Sequence, residues 1–462
     1  MPAIDTATLG PREPQMADHA SDQAIALQGE TRRSQSGEST TKVGFNVLNT
    51  IIGSGIVCLP YALHNAGFFF GIAMLVIIAA LSQFSLYALI ETGKRTNTAH
   101  FSSVTQASLG QAGYHLLNAS MVVDMVGTVI LYLMLVGDLI TALTDVYLPV
   151  PVGRPTVIVF ISLVCVLPML FFRNTGPLAS LSLISILCLP YIILAVAFRA
   201  PLYAGSSGSK ADLSFFGPRV LPAMGVLAFT YSSCHAAFPN YLGLRNQTVG
   251  SWVRATSWAS AGAGLISTAF AATGYLSFGQ ASNANILSNF PTTDGYINFG
   301  RLLFAVTLIL TTPMAFYPIR DTVTEMLHID PQRHGVGRMP ESICTVVVFV
   351  SCALAAAACT DLGLAYELIG TLSSSVVNFL LPALIYLWAG TDVTLKGLAR
   401  GVVVPDGQLA AETQETLPLL IKRDQKSIFS FGQVLLWLVA WAVAGFGIWV
   451  MVLGTYNIGR GL

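Results

Sequence analysis

Two short stretches of this 462-residue chain hold the residues best suited to binding chemistry. One reads Gly53-Ser54-Gly55-Ile56-Val57-Cys58-Leu59-Pro60-Tyr61-Ala62-Leu63, the other Ser232-Ser233-Cys234-His235-Ala236-Ala237-Phe238-Pro239-Asn240-Tyr241-Leu242. In each, three small residues begin seven positions before a proline, and a leucine follows the proline by three. Glycine loosens a helix by entropy, and proline loosens it by its missing N–H. Both stretches therefore predict an interrupted helix whose freed N–H and C=O groups hydrocarbon cannot satisfy, whereas an ion or a polar solute can. Small residues also serve plain packing in membrane helices, but that reading does not explain two breaks in register. His235, at the second break, titrates near neutral pH and could serve proton coupling, with a simple hydrogen-bonding role as the alternative.

Other ionisable residues in apolar surroundings are Asp124, Asp138, Glu91 and Glu367. Such residues are costly in a bilayer and mark functional sites. Asp124 and Asp138 are fourteen residues apart, about 21 Å along a helix, so they cannot form one ion site. Asp138 fits either a structural pair with a basic residue or a proton-coupling role, while Glu91 and Glu367 are expected near membrane interfaces. The seven cysteines include no CxxC pair and read as small buried hydrophobes. No nucleophile–base pairing, Walker motif, metal-ligand spacing or GxGxxG loop appears, so an enzyme is not expected and uphill work would need an ion gradient or exchange.

The elements that carry these residues are membrane helices. Hydrophobic residues make up 54% of the chain and charged residues 10%, against about 25% charged in a soluble protein, so lipid must cover much of the surface. The net charge is zero, which implies no nucleic acid or other strongly charged partner. Eleven stretches are long and apolar enough to span, at 44–66, 69–92, 114–145, 155–173, 177–198, 218–243, 252–278, 297–327, 340–360, 362–389 and 428–455. Phe101–Gly113 is short and amphipathic and is expected at the membrane surface. Residues 1–41 are polar and read as a disordered cytosolic tail, not a signal peptide. Residues 391–427 read as a cytosolic loop, and 42–456 as one transmembrane domain.

Lysine and arginine orient the spans. With the N-terminus in the cytosol, 17 of these residues lie on the cytosolic side and 6 opposite. The sequon at Asn246 then faces the cytosol and the one at Asn118 lies inside a span, so neither is expected to carry a glycan. Pro60 and Pro239 are 179 residues apart, with five spans between the two starts. Five is odd, so the second copy crosses in the opposite direction. The chain thus divides into repeats at about 42–199 and 217–390 plus an extra helix at 428–455. Matching breaks in two inverted halves are the sequence mark of a transporter binding site.

Phe45-Asn46-Val47-Leu48-Asn49-Thr50-Ile51-Ile52-Gly53-Ser54-Gly55-Ile56 resembles the first helix of the sodium-coupled neutral amino acid transporters and their vacuolar relatives. Val136-Gly137-Asp138 is similar to that family's Gly-Asp element, and Phe316-Tyr317-Pro318-Ile319-Arg320 to its Phe-Pro-Ile-Arg ending. The resemblance covers Lys42 to about Tyr456. It implies an all-α fold of eleven helices with a LeuT-type five-plus-five inverted repeat. It also implies an amino acid bound at the breaks in helices one and six, and alternating access driven by sodium or protons. On that footing Gly53, Ser54 and Gly55 offer N–H groups to a carboxylate, and carbonyls near Tyr231, Ser232 and Ser233 suit an ammonium. The family places sodium ligands at the carbonyls of Asn49 and Ile52 and at hydroxyls of the eighth span, here Thr307, Thr311 and Thr312. Threonines in membranes more often bond their own helix. The His235-Ala-Ala-Phe-Pro-Asn240 run departs from the acidic or branched run of the familiar members, which leaves the substrate open.

The expected function is secondary active transport of a neutral amino acid by a monomer in a lipid bilayer. The alternative is an amino acid sensor that signals with little flux. Glu415-Thr416-Leu417-Pro418-Leu419-Leu420 matches an acidic dileucine sorting pattern and favours a vacuolar or lysosomal membrane.

Overall fold

The structure, a computed structural model, describes residues 37–171, 188–204, 211–327, 338–389 and 431–461. The expected tail up to residue 36, the 391–427 loop and the dileucine pattern lie outside the described residues. Apolar helices follow one another as α1 (Thr40–Ala66), α2 (Phe68–Arg95), α3 (Phe101–Tyr147), α4 (Arg154–Leu170) and α5 (Cys188–Tyr203). Then come α6 (Val220–Leu242), α7 (Val249–Phe278), α8 (Gly295–Thr324), α9 (Met339–Ala358), α10 (Leu362–Ala389) and α11 (Leu435–Gly459). These stand where eleven spans are expected. Eight are long and apolar enough by themselves to cross a bilayer; α4 and α5 are shorter, and α7 is more polar. No strand is present among the described residues beyond an isolated parallel bridge between Glu38 and Leu244.

Helix α3 begins earlier than expected. The surface helix from Phe101 joins the span across Gly110, whose φ of 69° marks the turn. Only glycine takes that backbone at no steric cost, so the boundary falls at Gly110 and not at Gly113, which is helical.

Helices α1 and α6 run antiparallel. Glu38, just before α1, bonds the chain that follows α6 (Glu38 N–H to Gly243 O 2.8 Å, Arg245 N–H to Glu38 O 2.9 Å). At the other end the start of α6 bonds the end of α1 (Gly217 N–H to Ala66 O 2.9 Å, Arg219 N–H to Asn65 O 3.0 Å). The inverted relation of the two breaks is thus held by backbone bonds at both ends.

Helix α7 earns its central place with small residues. Ala255, Ala259, Ala263, Gly264 and Ser267 are buried, and Ser260 and Thr256 exchange hydrogen bonds with Gln83 of α2. Small faces of this kind let membrane helices approach closely.

The tightest approach joins α6 to α10. A Cβ on Gly370 would stand 1.8 Å from the carbonyl oxygen of Gly225, and one on Gly225 would meet Thr371 Cγ2 at 2.6 Å. Backbone lines both sides, so neither helix can yield cheaply. Gly370→Ala is expected to lower thermal stability by more than the about 1–3 kcal/mol of ordinary overpacking, read as a lowered melting temperature of the detergent-solubilised protein.

The α7–α8 connection is also fixed. Arg301 is buried and donates to Leu287 O (2.7 Å) and Phe290 O (2.8 Å). Asp294 caps α8 through Tyr296 N–H (3.1 Å) and Ile297 N–H (3.3 Å), and it accepts from Arg199 Nε (2.7 Å) and Tyr203 OH (2.9 Å). Burial pushes the Asp294 carboxyl up, but the Arg199 and Tyr203 hydrogen bonds outweigh it and hold the carboxyl below its ordinary value. A depressed folded pKa stabilises at every pH above the unfolded value of about 3.9 and ceases to do so as pH falls through the folded value. Asp294→Asn should therefore lower the melting temperature at pH 7, and the difference from the parent should shrink as the pH is brought below about 3.9.

Candidate functional site

The first break lies within α1. The helix Thr40–Ile52 ends at Gly53 (φ 35°, ψ −151°), a short 3-10 segment covers Ser54–Cys58, and the helix resumes over Leu59–Ala66 with Pro60 in its first turn. The positive φ needs a glycine. The second break lies within α6, where Val220–Thr230 ends, Tyr231–Ser233 are non-helical, and Cys234–Ala236 lead into Ala237–Leu242. The breaks abut: a Cβ on Gly55 would stand 3.0 Å from both Cα and Oγ1 of Thr230. The Ser54–Cys58 segment, with Gly55 at the contact, therefore faces the end of the first half of α6, next in the chain to Tyr231, Ser232 and Ser233.

The two breaks treat their freed amides differently. At α6, Asn378 of α10 accepts from Ser233 N–H (2.9 Å) and Cys234 N–H (3.0 Å) through Oδ1, while its Nδ2 donates to Ser232 Oγ (2.8 Å) and Ser374 O (3.0 Å). At α1 no side chain caps the 3-10 segment, and the first amides of a helix have no intrahelical partner. Tyr366 of α10 donates instead to Ser54 O (3.2 Å). The Tyr231 carbonyl accepts only long bonds, from Ser82 and Ser233 hydroxyls at 3.5 Å. The arrangement thus offers uncapped donors at α1 and a weakly engaged carbonyl at α6.

A cavity of about 260 Å³ lies beside the second break, lined by His235, Asn118, Met121, Met125, Ile319 and others of α3, α6 and α8, with exposed His100 at its rim. His235 Nδ1 has no hydrogen-bond partner among the described residues. The opposite end of the bundle is tied shut. Glu367 of α10, its side chain fully buried, accepts from Tyr61 OH of α1 (3.2 Å) and from Arg219 Nη2 at the start of α6 (2.9 Å). It stands five residues from the start of α10, where α1 and the start of α6 converge on it. Glu91 is 23% exposed and paired with Arg95.

Asp138 forms an ion pair with Arg154 (Nε to Oδ1 2.5 Å), and Arg154 also donates to Cys359 O (2.8 Å). Of the two readings that the sequence leaves open for Asp138, the structure shows the structural pair. Thr311 and Thr312 donate to their own helix, at Thr307 O (2.9 Å) and Leu308 O (2.6 Å), while Thr307 Oγ1 is buried without a partner. Asn49 O accepts Gly53 N–H (3.0 Å) and Ile52 is buried. No hydrogen bond joins these threonines to Asn49 or Ile52 among the described residues.

Sequence reasoning placed the span that becomes α10 but missed its polar residues. Its polar run of Thr371, Ser373, Ser374, Ser375 and Asn378 is wholly buried, and two π-helical turns, Gly370–Ser374 and Val376–Leu380, carry most of it. Five polar residues within eight positions of an apolar span were the available signal, and π turns frequently mark functional sites.

Two abutting helix breaks in an antiparallel pair, inside an all-helical membrane bundle, define a multi-pass transporter. The fold is similar to that of a Na+-coupled sialic acid symporter solved in a substrate-bound outward-open state, with a TM-score of 0.53 at 13% identity, covering 93% of this chain and 91% of that one. Residues 36–397 match the family described as transmembrane amino acid transporter protein, and the chain belongs to it. Among curated relatives it is 27% identical over 378 residues to the Mus musculus protein named "Putative sodium-coupled neutral amino acid transporter 11", spanning 80% of this chain and 81% of that one. It is 24% identical over 379 residues to vacuolar amino acid transporter 2 of Saccharomyces cerevisiae, spanning 77% and 78%. The protein is a transporter, not an enzyme.

Asn378→Ala removes the acceptor for two buried amides, each worth about 1–3 kcal/mol when left unpaired. The variant is expected to unfold at a lower temperature than the parent in a detergent thermal-shift assay, with a larger loss than Ser375→Ala, whose hydroxyl serves only its own helix.

Proposed function

We propose that this protein is a secondary active transporter of neutral L-amino acids that works by alternating access, driven by a sodium or a proton gradient. One observation carries the reading: the amides of Ser54 and Gly55, with no side-chain cap among the described residues, stand against Thr230 at the edge of the second break. Amides at the start of a half-helix suit the substrate carboxylate, and the carbonyl end of the other half-helix suits the ammonium. The cavity beside His235 is smaller than the about 300–1,000 Å³ of drug-sized sites, in keeping with a small occupant. With one end sealed by Glu367, Arg219 and Tyr61 and a cavity at the other, the arrangement fits one state of a two-state cycle.

The excess of lysine and arginine supports a cytosolic N-terminus and places the cavity on the cytosolic side. Relatives named vacuolar support a vacuolar membrane, and the protein is taken to act as a monomer. Sodium ligation by Asn49, Ile52, Thr307, Thr311 and Thr312 stays part of the proposal; unpartnered Thr307 Oγ1 favours it and the helix-bound Thr311 and Thr312 hydroxyls do not.

Purified protein in proteoliposomes is expected to accumulate radiolabelled neutral amino acids, tested as a panel from alanine to tyrosine, saturably and only under an imposed sodium or pH gradient. Gly55→Ala, which presses a methyl group on Thr230, should reduce that uptake. Binding without flux would instead identify a sensor, and unsaturable flux indifferent to gradients a channel.

A further inference from the structure

We propose that Asp124 of α3 is the residue that carries the coupling ion, and that the ion is a proton. The proposal rests on the transport reading above and names its driving ion.

Asp138, Asp294, Glu341 and Glu367 are buried or largely buried among the described residues, and each faces an arginine: Arg154, Arg199, Arg320 and Arg219. Asp124 is 1% exposed, and among the described residues no lysine or arginine pairs with it; the ionisable side chain of another helix that faces it is His235, whose Nδ1 makes no hydrogen bond there. An unpaired carboxylate in such a place costs several kcal/mol or more, so it must hold a cation of its own.

Hydrogen-bond counting says which cation. Ser373 Oγ lies 2.8 Å from Ile369 O and 2.9 Å from Asp124 Oδ1, and Ser374 Oγ lies 2.5 Å from the same Oδ1. Ser373 has one hydroxyl hydrogen and two acceptors in reach. If Asp124 is ionised, one of the two contacts pairs lone pairs with lone pairs. If Asp124 is protonated on Oδ1, it donates to Ser373 Oγ, Ser373 donates to Ile369 O, and Ser374 donates to Asp124. Every contact is then a hydrogen bond. A sodium ion would need several more oxygen ligands around it, whereas one proton completes this set.

Met125, next to Asp124 in the chain, and His235 line the cavity, which is the nearby space through which solvent would exchange the proton. The titratable groups that face Asp124 are His235 of α6 and Tyr132 of its own helix. Helix α10 presents the hydroxyls of Ser373 and Ser374 and the α6 break that of Ser232, and the arginines of α8 are engaged elsewhere: Arg301 with the α7–α8 connection, Arg320 with Asp321 and Glu341. From Asp124 the contacts run through Ser374 to Asn378 and on to Ser232, Ser233 and Cys234 at the α6 break. Loss of the proton breaks the donor order at one end of this chain, and the other end is the substrate-facing break. Asp138, for which the sequence left a structural pair and proton coupling equally open, is paired with Arg154.

Two measurements test the proposal on the full-length protein. In proteoliposomes, uptake of the labelled neutral amino acids should rise under an inward proton gradient at equal sodium, and in Asp124→Asn whatever uptake remains should lose that dependence. Asp138→Asn is the comparison and should keep it. Separately, infrared difference spectra recorded on alkaline titration of the parent should show the carbonyl stretch of a protonated carboxylic acid disappear, and Asp124→Asn should lack that band. A proton dependence that survives in Asp124→Asn, or uptake driven by sodium alone at equal pH, overturns the assignment. If the parent takes up no amino acid the transport reading falls by itself, and the infrared band still decides whether Asp124 holds a proton; its absence from the parent overturns the proposal.

Discussion

Backbone amides and carbonyls set free inside hydrocarbon must find partners within the protein, and that constraint organises this molecule. Two helices are broken at mid-span, and α10 answers for both. Its Tyr366 reaches Ser54 O, and its Asn378 caps Ser233 and Cys234. A buried unpaired backbone group costs several kcal/mol in lipid, so the breaks are tenable only because α10 lies against them. At the first break α10 reaches a carbonyl, and among the described residues no side chain caps the amides of Ser54 and Gly55.

The same helix binds the two ends of the bundle into different conditions. Near one end Glu367 draws together Tyr61 and Arg219, and near the middle Ser373 and Ser374 hold Asp124. Ion pairs of this kind contribute little net stability in a low dielectric, because desolvation offsets the attraction. Separating the partners is nonetheless expensive while they stay buried. Such a contact suits an element that has two arrangements, one dry and paired and one wet and open, each locally satisfied.

Close packing makes the polar relay geometrically exact to within a hydrogen bond. Gly225 and Gly370 let the backbones of α6 and α10 touch, and Gly127 of α3 meets Ile369 of α10. These contacts bring α3, α6 and α10 into register around Asn378. In membranes the packing of small residues, not exclusion from water, supplies much of the association between helices. Glycine is therefore the residue that sets how near Asp124 comes to the serines and how near Asn378 comes to the break.

The sequence by itself determined the membrane spans, the two breaks and their inverted relation, because each is a local property. Apolar length decides a span, a Gly-Ser-Gly run before proline decides a break, and an odd number of crossings decides direction. Glu367, Asp138 and Asp124 show where this local logic ends. The chain alone gives these three acids in apolar surroundings, and nothing in their neighbourhoods says that Arg219 and Arg154 stand beside the first two, and serine hydroxyls and His235, with no arginine, beside the third. Those arginines and serines come from 148, 16 and 249 or 250 residues away, brought together by helix packing. Asn378 was equally silent, since a lone asparagine acquires its role only when another helix presents two amides to it. Charge and hydrogen-bond balance at a buried site is a sum over everything that faces it, and only the tertiary structure says what does.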